Sequence, residues 1–276
     1  MADAAETLAT IACFVSEAPP GELSDVLNDI RGLVNNDELL QEGIAKPFAE
    51  YNVNSLLVLK TEGDGKLILS KHNQTEDGRF VDLKSKQSFA VDHVAQTASD
   101  SQPYEFNAEI EDHRNALESA IETYVQDHYP NGDSAVFTGE NKSLVIAIVN
   151  NKFSPTNFWN GRWISEWAVY LDSDVVKGEL KAHVHYYEDG NVQLKTSKPV
   201  EGKLASIPSD PTEFASAVVK TILKAETDYQ LALNVTYGQL SDTTFKSLRR
   251  ALPITRTKLD WNSVSNYKIG AELSNQ

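Results

Sequence analysis

Apolar positions along the first part of the chain fall at three- and four-residue steps. Leu23, Val26, Leu27, Ile30 and Val34 form one stripe, and Pro19, Pro20 and Gly21 separate it from an earlier helix that begins near Ala5. Leu39, Leu40, Ile44 and Phe48 extend the period into a third helix, against the resistance of Gly43 and Pro47. Short helices this close together predict a small antiparallel bundle over residues 1–52. The period then falls to that of strands. Ser55 to Lys60, Lys66 to Ser70, Phe80 to Leu83 and Phe89 to Asp92 are short β-like runs divided by Gly, Asp and Asn, which gives a small β region over 53–107. Ile110, Leu117, Ile121, Tyr124 and Val125 return to helical spacing over 108–130, and Pro130, Asn131 and Gly132 end that helix.

The strongest β signal lies in 143–200. Ser143 to Val149 is an almost unbroken apolar run, as expected of a strand covered on both faces. Trp163, Ser165, Trp167, Val169 and Leu171 fall on one face of the next strand, before an Asp172-Ser173-Asp174 turn. Leu180, Ala182, Val184 and Tyr186 then alternate with Lys181, His183, His185 and Tyr187, and Glu188-Asp189-Gly190-Asn191 turns the chain back at Val192. This is an antiparallel meander with no βαβ crossover. From Pro211 a helical stripe of Phe214, Ala217, Val218, Thr221, Ile222 and Ala225 predicts a long helix laid across the sheet, ending near Gly238. A further helix from Ser241 to Leu252 completes a helical region over 211–252. In the tail, 253–276, Asp260 caps an amphipathic helix with Trp261, Val264, Ile269 and Leu273 on its apolar side. The expected fold class is therefore α+β.

Charge changes this picture at one place. The chain carries a net charge of −15, yet Lys246, Arg249, Arg250, Arg256, Lys258 and Lys268 crowd a window whose only acid is Asp260. Taken alone, that window reads either as a solvated helix face or as an extension that touches an acidic surface. A pI near 4.8 argues against nucleic acid as a partner. The N-terminal ten residues hold no basic stretch before an apolar core, no window is apolar enough to span a bilayer, and the single Cys13 cannot form an internal disulfide. Together these predict a cytoplasmic protein.

Catalytic chemistry is weakly signalled. His183 and His185 share a strand face and can both point at one ion, but no third ligand lies at metal-site spacing, so structural histidines are expected. Cys13 has no nearby histidine, and there is no phosphate loop, dinucleotide fingerprint or serine elbow. Neither an enzyme nor a cofactor is expected. Phe158, Trp159, Trp163 and Trp167 read as core aromatics.

The literal strings say more. Phe158-Trp159-Asn160-Gly161-Arg162-Trp163-Ile164-Ser165-Glu166-Trp167, followed by Val184-His185-Tyr186-Tyr187-Glu188-Asp189-Gly190-Asn191-Val192-Gln193-Leu194, resembles the two signature segments of the F-actin-capping protein alpha subunit family. Leu248 to Trp261 is a third similar stretch, and the order and spacing fit from about Ala5 to the C-terminus. Ile164 stands where the family usually has a basic residue, a change expected to remove a surface charge, and Ser265 interrupts a terminal helix that tends to be apolar.

The resemblance implies one half of an obligate heterodimer, alpha with beta, in which both subunits contribute strands to one continuous sheet. It implies calcium-independent binding to the barbed end of the actin filament, blocking subunit addition and loss, and so a place in the cortical actin cytoskeleton. Lys246, Arg250 and Arg256 match the family's basic residues for first contact with actin, with Arg249, Lys258 and Lys268 enlarging the field. The apolar side formed by Trp261, Val264, Ile269 and Leu273 would then dock in a groove on actin. Acidic phosphoinositides and capping-protein-binding regulatory peptides are the other implied partners. The alternative is a structural subunit of a larger actin-like filament complex without free capping activity.

Overall fold

The computed structural model describes residues 4–239, apart from 63–64, 106–109, 141, 189, 205 and 207. The chain forms two compact units, residues 1–225 and 226–276. The described part of the second is the end of one long helix, residues 226–239. No described helix is long and apolar enough to cross a membrane.

The N-terminal bundle is α1 (Ala4–Ser16), α2 (Leu23–Val34), α3 (Asp37–Gly43) and α4 (Ala45–Asn54). The single third helix expected from Leu39 to Phe48 is thus two helices that meet at Ile44. Asn36 starts α3 by accepting a hydrogen bond from the Leu39 N–H at 3.1 Å. Pro47 falls in the first turn of α4, where its missing N–H costs no helical bond. Gly43 is required for a different reason: a Cβ there would lie 3.1 Å from Leu8 Cγ of α1 and closer still to its Cδ2. The pattern nevertheless named the core correctly, since Leu23, Ile30, Leu40, Ile44 and Phe48 are buried together with Ile11, Val15 and Tyr51. Each such aliphatic or aromatic side chain contributes about 1.5–3 kcal/mol on burial.

Two small antiparallel sheets follow. One pairs β1 (Val58–Lys60) with β2 (Lys66–Ile68), and the other orders β3 (Phe80–Asp82), β4 (Gln87–Asp92) and β5 (Thr97–Pro103). Asn73 stitches them together, its amide donating to the carbonyls of Ile68 at 2.9 Å and Val81 at 2.8 Å. Strand β5 escaped the hydrophobic pattern because it is polar and almost wholly exposed.

The main sheet is five-stranded and antiparallel, in the order β10-β9-β8-β7-β6. Its strands are β6 (Gly132–Thr138), β7 (Ser143–Ser154), β8 (Trp159–Tyr170), β9 (Val175–Tyr186) and β10 (Val192–Lys203). Residues 143–149 of β7 are all buried, as their apolar run predicts. Strand β6 was not legible, because its first four residues are half-buried and mixed in character. Helix α5 (Glu111–His128) buries Leu117, Ile121, Tyr124 and Val125 and lies beside β6. Helix α6 (Pro211–Gln239) has Phe214, Ala215, Val218 and Ile222 buried in its first half. That half meets α5 through an edge-on contact between His113 and Phe214, and it approaches β10 where Thr221 sits against Gly202.

Candidate functional site

All the contact residues expected from the sequence, Lys246, Arg249, Arg250, Arg256, Lys258, Trp261, Val264, Lys268, Ile269 and Leu273, lie outside the described residues, and so does Ser265. The first two signature segments are described apart from Asp189, and the fold brings them together. Trp159 pairs with Tyr186, Asn160 with His185 and Gly161 with Val184, so strings distant in sequence become neighbouring strands.

Their shared end of the sheet has two unlike faces. Trp159, Tyr186, Val192, Val184 and Leu194 share one face by register, and Tyr186, Val192 and Leu194 are 40%, 62% and 49% exposed. Phe158 holds a left-handed backbone at φ 56°, and its ring meets Tyr187 edge-on. Beside this apolar surface runs β10, paired along twelve positions with β9 and with no strand on its other side among the described residues. An open edge with an apolar face is the pairing surface that folded proteins usually cover.

The opposite face carries polar contacts to the bundle. Glu22, next to α2, receives hydrogen bonds from Asn160 Nδ2 at 2.7 Å and is held by His185 Nδ1 at 2.8 Å. His185 and Asn160 are both buried. Lys195 pairs with Glu17, which lowers the Glu17 pKa chiefly through their hydrogen bond. His183 instead shares a 3.0 Å hydrogen bond with Gln193, and burial holds its pKa below the ordinary histidine value. The two histidines therefore serve different partners. Among the described residues no group of three or more His, Cys, Asp or Glu is placed to hold a metal ion.

Two expectations about β8 fare differently. Ser165, Trp167 and Val169 are buried on one face as the alternation implies. Ile164, expected at a surface charge position, is 5% exposed and packs with Leu56, Ile68, Val145 and Val149, so at this position the isoleucine fills a core. The direction of Ile164 follows from its register opposite Lys181 on the bundle-facing side, where Leu56 covers it.

The class defined by this fold is an antiparallel sheet flanked by a helical bundle and long helices, with no strand paired to the outer edge of β10 among the described residues. The sequence model of the F-actin capping protein alpha subunit matches residues 11–272. F-actin-capping protein subunit alpha of Caenorhabditis elegans is 40% identical over 276 residues, covering 98% of each chain. The Neurospora crassa protein of the same name is 38% identical over 265 residues and 95% of each chain, and that of Dictyostelium discoideum is 36% identical over 271 residues and 95% of each. Among solved structures, the homodimeric actin capping protein alpha subunit from Plasmodium berghei shares the fold, with a TM-score of 0.76 over 90% of this chain and 98% of that one at 24% identity. The chain belongs to the F-actin capping protein alpha subunit family.

Proposed function

We propose that this chain is the alpha half of a heterodimer that caps the barbed end of the actin filament, independently of calcium, and stops subunit addition and loss there. The observation that carries the dimer is β10: twelve residues whose outer edge pairs with no strand among the described residues, beside exposed Val192 and Leu194. A partner strand added to that edge satisfies its backbone groups and covers the apolar face. The tail then meets actin in two steps. Lys246, Arg249, Arg250, Arg256, Lys258 and Lys268 steer an otherwise acidic molecule toward acidic actin, and Trp261, Val264, Ile269 and Leu273 hold it by apolar burial. Acidic phosphoinositides compete for the same cations, and regulatory peptides act on the assembled dimer.

The test is co-expression with a beta subunit, followed by mass measurement of the purified complex and seeded actin elongation in calcium chelator. A one-to-one complex that halts barbed-end growth supports the reading. The Plasmodium neighbour is homodimeric, so a stable dimer of this chain alone that ignores the beta subunit counts against it. A larger assembly that retains the chain and shows no free capping supports the structural-subunit alternative.

A further inference from the structure

Strand β10 carries a proline in its second half, Pro199. The ladder with β9 is nevertheless unbroken, from Val192 opposite Tyr186 to Lys203 opposite Val175, and it passes through Pro199 opposite Glu179. In an antiparallel pair alternate residues bond to the neighbouring strand and the others point away from it. Just past β10, in the same register, the Leu204 N–H donates to the Asp174 carbonyl at 2.7 Å, so the even-numbered residues of β10 face β9. The odd-numbered residues, Gln193, Lys195, Ser197, Pro199, Glu201 and Lys203, therefore turn their backbone groups to the outer edge. Pro199 belongs to that outward set, where its missing N–H costs the β9 ladder nothing. A strand arriving from outside finds donors at Gln193, Lys195 and Ser197, then a gap, then Glu201 and Lys203.

The two sides of the gap differ in what already covers them. Beyond Pro199, Val200 is half-buried, and α6 reaches the sheet at Gly202, where a Cβ would lie 2.6 Å from Thr221 Cγ2. Before Pro199, Val192 and Leu194 stand exposed on one face with Tyr186. The side with the longer run of outward donors is also the side whose apolar face is bare.

We propose that the partner strand pairs with β10 over residues 192–197 only, and that Pro199 is the stop that fixes its extent. This rests on the heterodimer reading above and adds to it which half of the edge is used. A strand running past Pro199 would bring one of its carbonyls opposite a nitrogen without hydrogen, and a buried carbonyl left without a donor is costly enough to end a ladder there. The strand that fits alternates in character: apolar side chains meet Val192 and Leu194, and polar ones meet Gln193, Lys195 and Ser197 on the other face. Register is held in the same way. A one-residue slip reverses every side chain, and a two-residue slip toward Lys203 meets the proline.

The test uses the purified complex with the beta subunit and reads hydrogen exchange at single amides. Within that one complex, Gln193, Lys195 and Ser197 should exchange at least about a hundredfold more slowly than Glu201 and Lys203. Pro199→Ala restores the donor and should extend slow exchange to Glu201 and Lys203. Ser197→Pro removes an outward donor inside the paired half and should weaken the dimer by about tenfold or more, Ser197→Ala by less, and Lys203→Pro, beyond the stop, by less than about threefold. Should Ser197→Pro fail to fold, exchange in the unaltered complex and in Pro199→Ala still decides. Equal exchange on both sides of Pro199, slow exchange at Glu201 and Lys203 alone, fast exchange there that persists in Pro199→Ala, or loss of the dimer in Lys203→Pro overturns the inference while the heterodimer stands. Absence of any complex with the beta subunit overturns the heterodimer reading and this inference with it.

Discussion

Gly178→Ala tests whether the main sheet is packed as tightly as its register implies. Gly178 lies directly opposite Trp167, whose side chain is 1% exposed. A Cβ on Gly178 would stand 2.5 Å from Trp167 Cδ2 and 2.6 Å from Cζ3, and nearer still to Cε3, so the indole must move. It cannot move freely, because its Nε1 donates to the buried Ser165 Oγ at 2.6 Å. Overpacking costs about 1–3 kcal/mol, and losing that hydrogen bond about 1 kcal/mol more. Restricting the unfolded chain offsets about 0.4–1 kcal/mol. The net loss is roughly 1.5–3 kcal/mol, or a fall in Tm of about 5–10 °C for a domain of this size. Urea denaturation followed by far-ultraviolet circular dichroism and tryptophan fluorescence gives both the free energy and the change around Trp167. A change within about 0.5 kcal/mol of zero, or a stabilisation, would refute the claim that Gly178 exists to admit the ring.

The same strand pair shows what the sequence made legible. Alternation along β8 and β9 placed Trp167, Val169 and Leu180 in the core, because a period of two allows only one face to be buried against apolar partners. The helical stripes of the bundle and of α6 were legible for the same reason. Strand β5 was not, since an exposed edge needs no apolar residues, and the break between α3 and α4 leaves no mark in the apolar period, which runs on through Leu39, Leu40, Ile44 and Phe48. Ile164 misled because a strand residue's exposure depends on what covers its face, here Leu56. The tie from Glu22 to Asn160 and His185 spans separations of 138 and 163 residues, and only the folded chain reveals it.

Further expectations follow from the same geometry. Glu22→Ala leaves Asn160 Nδ2 and His185 Nδ1 buried without their acceptor and should cost about 1–3 kcal/mol in urea denaturation; a loss below about 0.5 kcal/mol sinks that contact as a tie between bundle and sheet. Burial lowers the pKa values of His72, His93 and His183 below their ordinary 6.5, so the unfolded chain binds more protons just below that pH. Their contribution is full above the ordinary value and declines as pH falls through it. Glu118, raised by burial, works the other way on its own titration. Stability should fall between about pH 7.5 and 5.5 in thermal melts, and a flat or rising profile contradicts the sign. Reversing Lys246, Arg250 and Arg256 to Glu should slow capping by about tenfold or more with the dimer intact, whereas removing residues 261–276 should mainly speed release. Filament-end kinetics that reverse this partition refute the division of the tail.

The central claim is that this chain, with a beta subunit, closes the barbed end. Single-filament fluorescence microscopy of growing actin in calcium chelator reads that event directly. Abrupt arrest of the fast-growing end is expected on addition of the complex, with continued growth at the slow end and long pauses that shorten when residues 261–276 are absent. Undiminished barbed-end growth at saturating complex, or equal inhibition of both ends, would contradict it.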